Sequence, residues 1–345
     1  MGNNALNLNP TRANIDITTH ASDWLWAVFA VMALSALGIL AFTHVRRPVG
    51  ERAFGELAAA ICFTASIAYF AMASDLGSTA IPVEFIRSGS RGANWVSRGV
   101  TRPTRAIWYA RYIDWTITTP LLLLELLLVT GLPLSQIFSV LFFDILMIET
   151  GLIGALVASR YKWGFYAFGC AALLYIMYFL LVPGRRSSQR LGTDFHKSYS
   201  TGALYLCLIW LVYPIIWGVA DAGNYITPTS EMVAYGVLDI LAKPVFSIIH
   251  LASLSRLDYA RLGMSSSKVS DGAHQNLLNE KMGPNSASAT PRASTVASPN
   301  AGTYGDGSHF HGGAGTGLAV DNGAGIATVG DVSHFHRGAN AAAAV

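Results

Sequence analysis

Lys243 stands in the middle of an apolar stretch, roughly residues 229–255, one helical turn after Asp239 and directly before Pro244. An amine held away from water favours its neutral form, and the neutral amine is what condenses with an aldehyde. Pro244 removes one backbone hydrogen bond and invites a kink beside the lysine. The same residues suit a purely structural Lys243–Asp239 pair that keeps two helices in register, and the spacing alone leaves both readings open.

A second group of chemically capable residues lies in the stretch 105–129. Asp114 and Glu125 are eleven residues apart, which on a helix returns to nearly the same face about 16 Å further along. Arg111 precedes Asp114 by one turn, and Thr118 follows it by one turn, within reach of its carboxylate. This is either a line of proton-holding groups along one helix or a set of polar ties between helices. Trp210, Tyr213 and Trp217 recur at spacings of three and four around Pro214, and Trp115, Tyr69, Tyr166 and Tyr175 supply further rings. Mid-helix aromatics at that spacing suit the wall of an elongated apolar ligand slot, whereas rings at helix ends form interfacial belts.

These residues need elements to hold them, and the composition says which. Of the 345 residues 52% are hydrophobic and 12% charged, with a net charge of +3, against about 25% charged in a typical soluble domain. A soluble enzyme and a nucleic-acid binder are both excluded. Uncharged runs cover 24–43, 57–74, 163–184 and 198–220, each near the ~20 residues that span a bilayer core. The stretches 105–129, 134–158 and 229–255 are apolar but punctuated by charge. An ionisable residue at that depth is costly and marks function by default. The expected architecture is therefore all-α, a bundle of seven transmembrane helices over residues 22–256, in which Lys243 is the only helical lysine. Gly131-Leu132-Pro133 and Val182-Pro183-Gly184-Arg185-Arg186 read as breaks between helices.

The first apolar run is too long and starts too far into the chain for a secretory signal. Residues 1–21 form a leading segment. Residues 257–345 turn to Ser, Gly, Ala and Asn and read as a disordered tail. The tail repeats Gly305-Asp306-Gly307-Ser308-His309-Phe310-His311 as Gly330-Asp331-Val332-Ser333-His334-Phe335-His336, a low-complexity duplication or a docking or metal-binding element. Cys62, Cys170 and Cys207 sit in apolar runs with no zinc-ligand spacing and no disulfide framework. Counting Lys and Arg gives nine on one side and eight on the other, which leaves orientation open.

Three motifs together resemble the microbial (type 1) rhodopsins. The run Arg111-Tyr112-Ile113-Asp114-Trp115-Thr116-Ile117-Thr118-Thr119-Pro120, four leucines and Glu125 is similar to their third helix. Trp210-Leu211-Val212-Tyr213-Pro214-Ile215-Ile216-Trp217 resembles their sixth, and Leu238-Asp239-Ile240-Leu241-Ala242-Lys243 their seventh. The resemblance spans residues 22–256 and is closest to the fungal branch of proton-pumping and auxiliary opsins.

The resemblance implies that Lys243 carries all-trans retinal as a protonated Schiff base. Asp114 is then counterion and proton acceptor, Asp239 the second counterion, Arg111 a switchable charge, and Glu125 the cytoplasmic proton donor. Asp221 and Glu231 take the positions of the proton-release group. Tyr69, Tyr213 and Asp239 form a hydrogen-bonded floor. Trp115, Thr119, Leu122, Met147, Gly151, Trp210, Pro214 and Trp217 surround the polyene, with Asp144 beside the pocket and Leu122 at a position that favours green absorption. The implied activity is outward, light-driven proton transport, with the N-terminus outside, the C-terminus cytoplasmic and the plasma membrane as site. Lipid and protons are the implied partners, a trimer is the family's habit, and the tail has no assigned partner. Glu125 at the donor position also fits slow relatives that signal rather than pump, through a partner or the tail. Retinal-free, chaperone-like relatives typically lack the helix-seven lysine, which this chain has.

Overall fold

The computed structural model describes residues 3–86, 91–255, 257 and 259–262. They fall in one compact unit, Met1–Ser288. The start of the expected tail is ordered, since Tyr259–Leu262 forms a helical turn and Tyr259 packs on Phe54; residues 263–345, with the repeat, lie outside the described residues.

Seven helices among the described residues are long and apolar enough to cross a membrane: α1 (Thr19–Arg46), α2 (Ala53–Ala73), α3 (Tyr109–Thr130), α4 (Leu134–Leu156), α5 (Lys162–Leu191), α6 (Thr193–Ala222) and α7 (Pro228–Leu254). The residues that α1 buries, Leu25, Val28, Met32, Ala36, Ile39 and Thr43, recur every three or four positions. They make one seam, while Leu34 and Leu37 on the other side stay exposed. An apolar helix with an apolar exposed face is what a lipid solvent selects. Consecutive helices α1 to α5 pack side by side, and α7 closes back on α1. Gly236 permits that closure, because a Cβ there would collide with the Trp24 indole.

α3 is the most buried of the seven, and it buries its polar residues: Arg111, Asp114, Thr118, Thr119 and Glu125 all face inward. Pro120 sits within it and cannot donate to the carbonyl one turn back. Thr116, Thr118 and Thr119 each donate a hydroxyl to the carbonyl four residues earlier, at 2.9, 2.8 and 2.9 Å, a bonding mode that bends helices. Thr118 thus bonds Asp114, through its backbone carbonyl.

The sequence-based breaks need one correction. Gly131 does end α3, at φ 69°, but the chain does not break at Val182–Arg186. α5 runs through Pro183 in a wide π-helical turn, Leu180–Gly184, and stops at Leu191 before Gly192, whose φ is 129°. The wide turn absorbs the missing proline N–H. The Tyr199 hydroxyl from α6 donates to the Leu180 carbonyl at 2.8 Å, and Gly184 leaves it room. Similar π turns occur at Gly218–Ala222 and Leu241–Val245, the second around Lys243 and Pro244. The longer helices also contain Lys162 and Lys197, so Lys243 is not the only helical lysine.

The fold is mostly helical, with one two-stranded sheet that the all-α expectation did not include. β1 (Thr79–Pro82) pairs antiparallel with β2 (Thr104–Ile107), placing Ile81 opposite Arg105. Ile15 adds a bridge on the other edge of β2, its amide donating to the Thr104 carbonyl at 2.9 Å. Gly77, at φ 78°, makes the turn into β1 under Ala110, whose Cβ lies 2.6 Å from where a side chain would begin. The sheet fixes Arg105 just ahead of α3, with its side chain buried.

Candidate functional site

Lys243 reaches the centre of the bundle from the π turn of α7. Its ammonium is ion-paired with Asp114 of α3, and lies 3.5 Å from Asp239 one turn earlier on α7. All three side chains are essentially sealed from solvent. Charges buried to this degree persist only when paired and hydrogen-bonded. Asp239 meets that demand: Tyr69 donates to Oδ2 and Tyr213 to Oδ1, each at 2.7 Å. The Trp115 indole N–H approaches Oδ1 at 3.4 Å. Asp114 is less saturated, since Oδ1 has no hydrogen-bond partner. Of the two carboxylates, Asp114 is therefore the one with an acceptor position to spare.

On the other side of the amine lies a cavity bounded by α3 to α7. Its walls include Trp115, Thr119, Leu122, Met147, Gly151, Trp210, Tyr213, Pro214 and Trp217, with Asp239 and Lys243 at one end. Tyr69 and Tyr175 are not in the wall. Tyr69 sits behind Asp239, and Tyr175 pairs with Ser139 at 3.0 Å and packs on Phe143. Asp144 lies one step outside, accepting from the Thr119 hydroxyl at 2.8 Å. α5 contributes Phe165, Tyr166, Gly169, Cys170 and Leu173. Of these the sequence reading included only Tyr166, although the spacing of three and four along one face was a visible signal.

Toward the opposite end from Glu125, the carboxylates expected at the release positions are separated by their partners. Glu231 is clamped between two guanidinium groups, accepting from Arg105 at 2.7 Å and from Arg111 at 2.6 Å. Arg105 also donates to Asn224 Oδ1 and the Ile226 carbonyl, each at 2.8 Å. Arg111 lies 4.2 Å from the centre of the Tyr235 ring. Asp221 accepts instead from Tyr112 at 3.0 Å. Nothing local in the sequence marks Arg105 as a strand residue that points its guanidinium into a bundle.

Glu125 is completely buried, and neither carboxylate oxygen has a hydrogen-bond partner. Leu122, Leu123, Leu126 and Leu127 surround it in the largest apolar cluster. The arrangement is an amine at the end of an aromatic-walled cavity, two carboxylates on that amine, and a third carboxyl isolated further along the same helix.

The profile of the bacteriorhodopsin-like protein family matches residues 19–257. The chain is 49% identical to Protein FDD123 of Trametes versicolor over 79% of this chain and 90% of that one. It is 44% identical to the opsin-like protein carO of Fusarium fujikuroi over 87% and 97%. Among solved structures, the light-driven proton pump Coccomyxa subellipsoidea rhodopsin aligns with a TM-score of 0.63 at 36% identity, covering 69% of this chain and 98% of that one. The chain belongs to the bacteriorhodopsin-like family, whose members are seven-helix membrane proteins that act as light-driven transporters or photoreceptors rather than as enzymes.

Proposed function

We propose that this protein is a light-driven outward proton pump, with retinal carried covalently on Lys243. The observation that carries the reading is the Lys243 amine, which stands between an aromatic-walled cavity and the Asp114 carboxylate. The residues fit the chromophore. The cavity is apolar along its length, Gly151 leaves its wall open, and a single amine sits at its end. Two carboxylates beside that amine match a linkage that carries positive charge.

When bound, retinal supplies a double bond that isomerises in light and reorients the proton on the Lys243 nitrogen. The chain's own residues do the rest. Asp114, with Oδ1 open, accepts that proton. Asp239, fixed by Tyr69 and Tyr213, holds its charge in place and keeps the nitrogen oriented. Glu125, desolvated by leucines and about 16 Å beyond Asp114 by helical rise, holds the proton that refills the nitrogen from the other side. Arg111 conveys the charge change at Asp114 toward Glu231 and Asp221, from which a proton leaves. Access to the nitrogen from one side and then from the other makes the transport directional.

Residues 22–256 form the transport domain, with 1–21 outside and 257–345 cytoplasmic, in the plasma membrane. The burial of Arg105 and Lys162 favours this orientation, because two of the eight outside charges then face the protein interior. A trimer in the bilayer is part of the same reading.

The test is the pH of an unbuffered suspension of yeast that express the protein and are given all-trans retinal, under green light. Acidification that a protonophore abolishes is the expected result. Alkalinisation, or a coloured protein with no pH change, refutes outward pumping; the second outcome points to a sensory role.

A further inference from the structure

A second cavity opens between the start of α6 and the end of α7. Thr201, Gly202, Tyr205, Phe246 and His250 line it, and the exposed Asp194 and Lys197 stand at its mouth. This is the end of the bundle toward which Glu125 lies from Asp114. His250 is 2% exposed, yet neither ring nitrogen closes a hydrogen bond. A buried imidazole held only for packing would ordinarily satisfy at least one nitrogen. Stacking on Phe246, with centroids 5.3 Å apart and planes 10° apart, sets the plane of the ring.

The backbone of Glu125 lies beside the His250 ring. Gly202 leaves a gap there: a Cβ on it would lie 3.6 Å from His250 Nδ1 and 3.1 Å from Leu126, the residue after Glu125. Both residues lie on the same side of the Lys243–Asp114 pair: His250 is seven residues beyond Lys243 on α7, a rise of about 10 Å, and Glu125 lies about 16 Å beyond Asp114 on α3. Ser247, fully buried and with its hydroxyl unpartnered, sits between Lys243 and His250 on the same face of α7.

We propose that His250 relays protons from the α6–α7 cavity to Glu125, which rests on the reading of Glu125 as the donor to Lys243. One ring nitrogen takes a proton from cavity water, leaving hydroxide that the solvent neutralises. The imidazolium then gives the proton on its other nitrogen to the Glu125 carboxylate and returns to neutral imidazole in the alternate tautomer. Rotation of the ring or proton exchange with the cavity resets it. No charge remains on His250 between cycles, which suits an uncharged apolar surround.

The test is flash photolysis of the full-length, retinal-loaded protein in lipid nanodiscs, with a soluble pH dye reporting proton uptake. His250→Phe keeps the stacked ring and removes both nitrogens. Gly202→Val fills the gap and leaves the imidazole intact, and it stands in should His250→Phe fail to form pigment. In both variants uptake slows by about 10²-fold or more, the contribution of one positioned acid–base group, while transfer to Asp114 keeps its wild-type rate. Azide, a small permeant acid, restores uptake in His250→Phe. Uptake at the wild-type rate in His250→Phe overturns the relay, even if Gly202→Val is slow, because water alone then carries the proton. Slowing that azide does not relieve also overturns it, as damage to packing. A wild-type protein that takes up no proton during its cycle refutes the donor reading of Glu125 itself, a distinct outcome.

Discussion

The Glu231 clamp yields an asymmetric stability prediction. Glu231→Gln removes the carboxylate shared by Arg105 and Arg111, both buried. Arg105 keeps Asn224 and the Ile226 carbonyl as acceptors, whereas Arg111 keeps no oxygen acceptor among its hydrogen bonds, only the Met232 sulfur and the Tyr235 and Trp115 ring faces. Removing one partner from a buried ion pair costs about 3–5 kcal/mol, so Glu231→Gln falls in that range. Arg105→Gln leaves Glu231 paired with Arg111 but also gives up the bonds to Asn224 Oδ1 and the Ile226 carbonyl, so the loss is at least about 1.5–3 kcal/mol, the worth of one charged hydrogen bond. The double variant should cost less than the sum by about 1.5–3 kcal/mol, because the Arg105–Glu231 bond is lost only once. At about 2–4 °C per kcal/mol for a domain of this size, Glu231→Gln lowers the midpoint of thermal bleaching by about 6–20 °C and Arg105→Gln by at least about 3 °C. The assay is loss of the visible absorption band on heating at one fixed scan rate. Strictly additive losses in the double variant would refute the clamp as the source of stability.

Three further outcomes follow from named contacts. Glu125→Gln should leave the first proton transfer unchanged and slow the refilling of the Lys243 nitrogen by about 10²–10⁴-fold, read by flash photolysis. Asp75, just beyond α2, is pushed up to about 7 by burial and then by the neighbouring Asp16. Its folded value lies above its unfolded one, so the folded state binds the extra proton and stability falls as pH rises from about 4 to 7. Asp75→Asn should therefore raise the bleaching midpoint at pH 7 and lose that advantage near pH 4. Gly77→Ala forces a side chain into φ 78° and against Ala110; the backbone alone costs about 1–2 kcal/mol, and the same thermal assay reads the loss.

Much of the site was legible because helical periodicity converts spacing into position. Asp114, Lys243 and the Trp210–Tyr213–Trp217 stripe sit on faces that seven packed helices must turn inward; Thr119, Leu122, Met147 and Gly151, which only the family resemblance implied, line the cavity with the stripe. What escaped depends on long-range geometry. Nothing in the residues around Arg105 tells that a short hairpin, stitched to Ile15, aims it at Glu231. The run Val182–Arg186 carries every local mark of a turn, and only Tyr199 on the next helix makes its continuation favourable.

The most direct test of the account is light-driven acidification by Asp114→Asn beside the wild-type protein, with equal pigment in both. Asp114 is the paired carboxylate with a free acceptor position, so its amide should give a coloured protein that moves no protons. Acidification by Asp114→Asn at the wild-type rate would contradict the account, because the proton would then leave the Lys243 nitrogen by a route that bypasses Asp114.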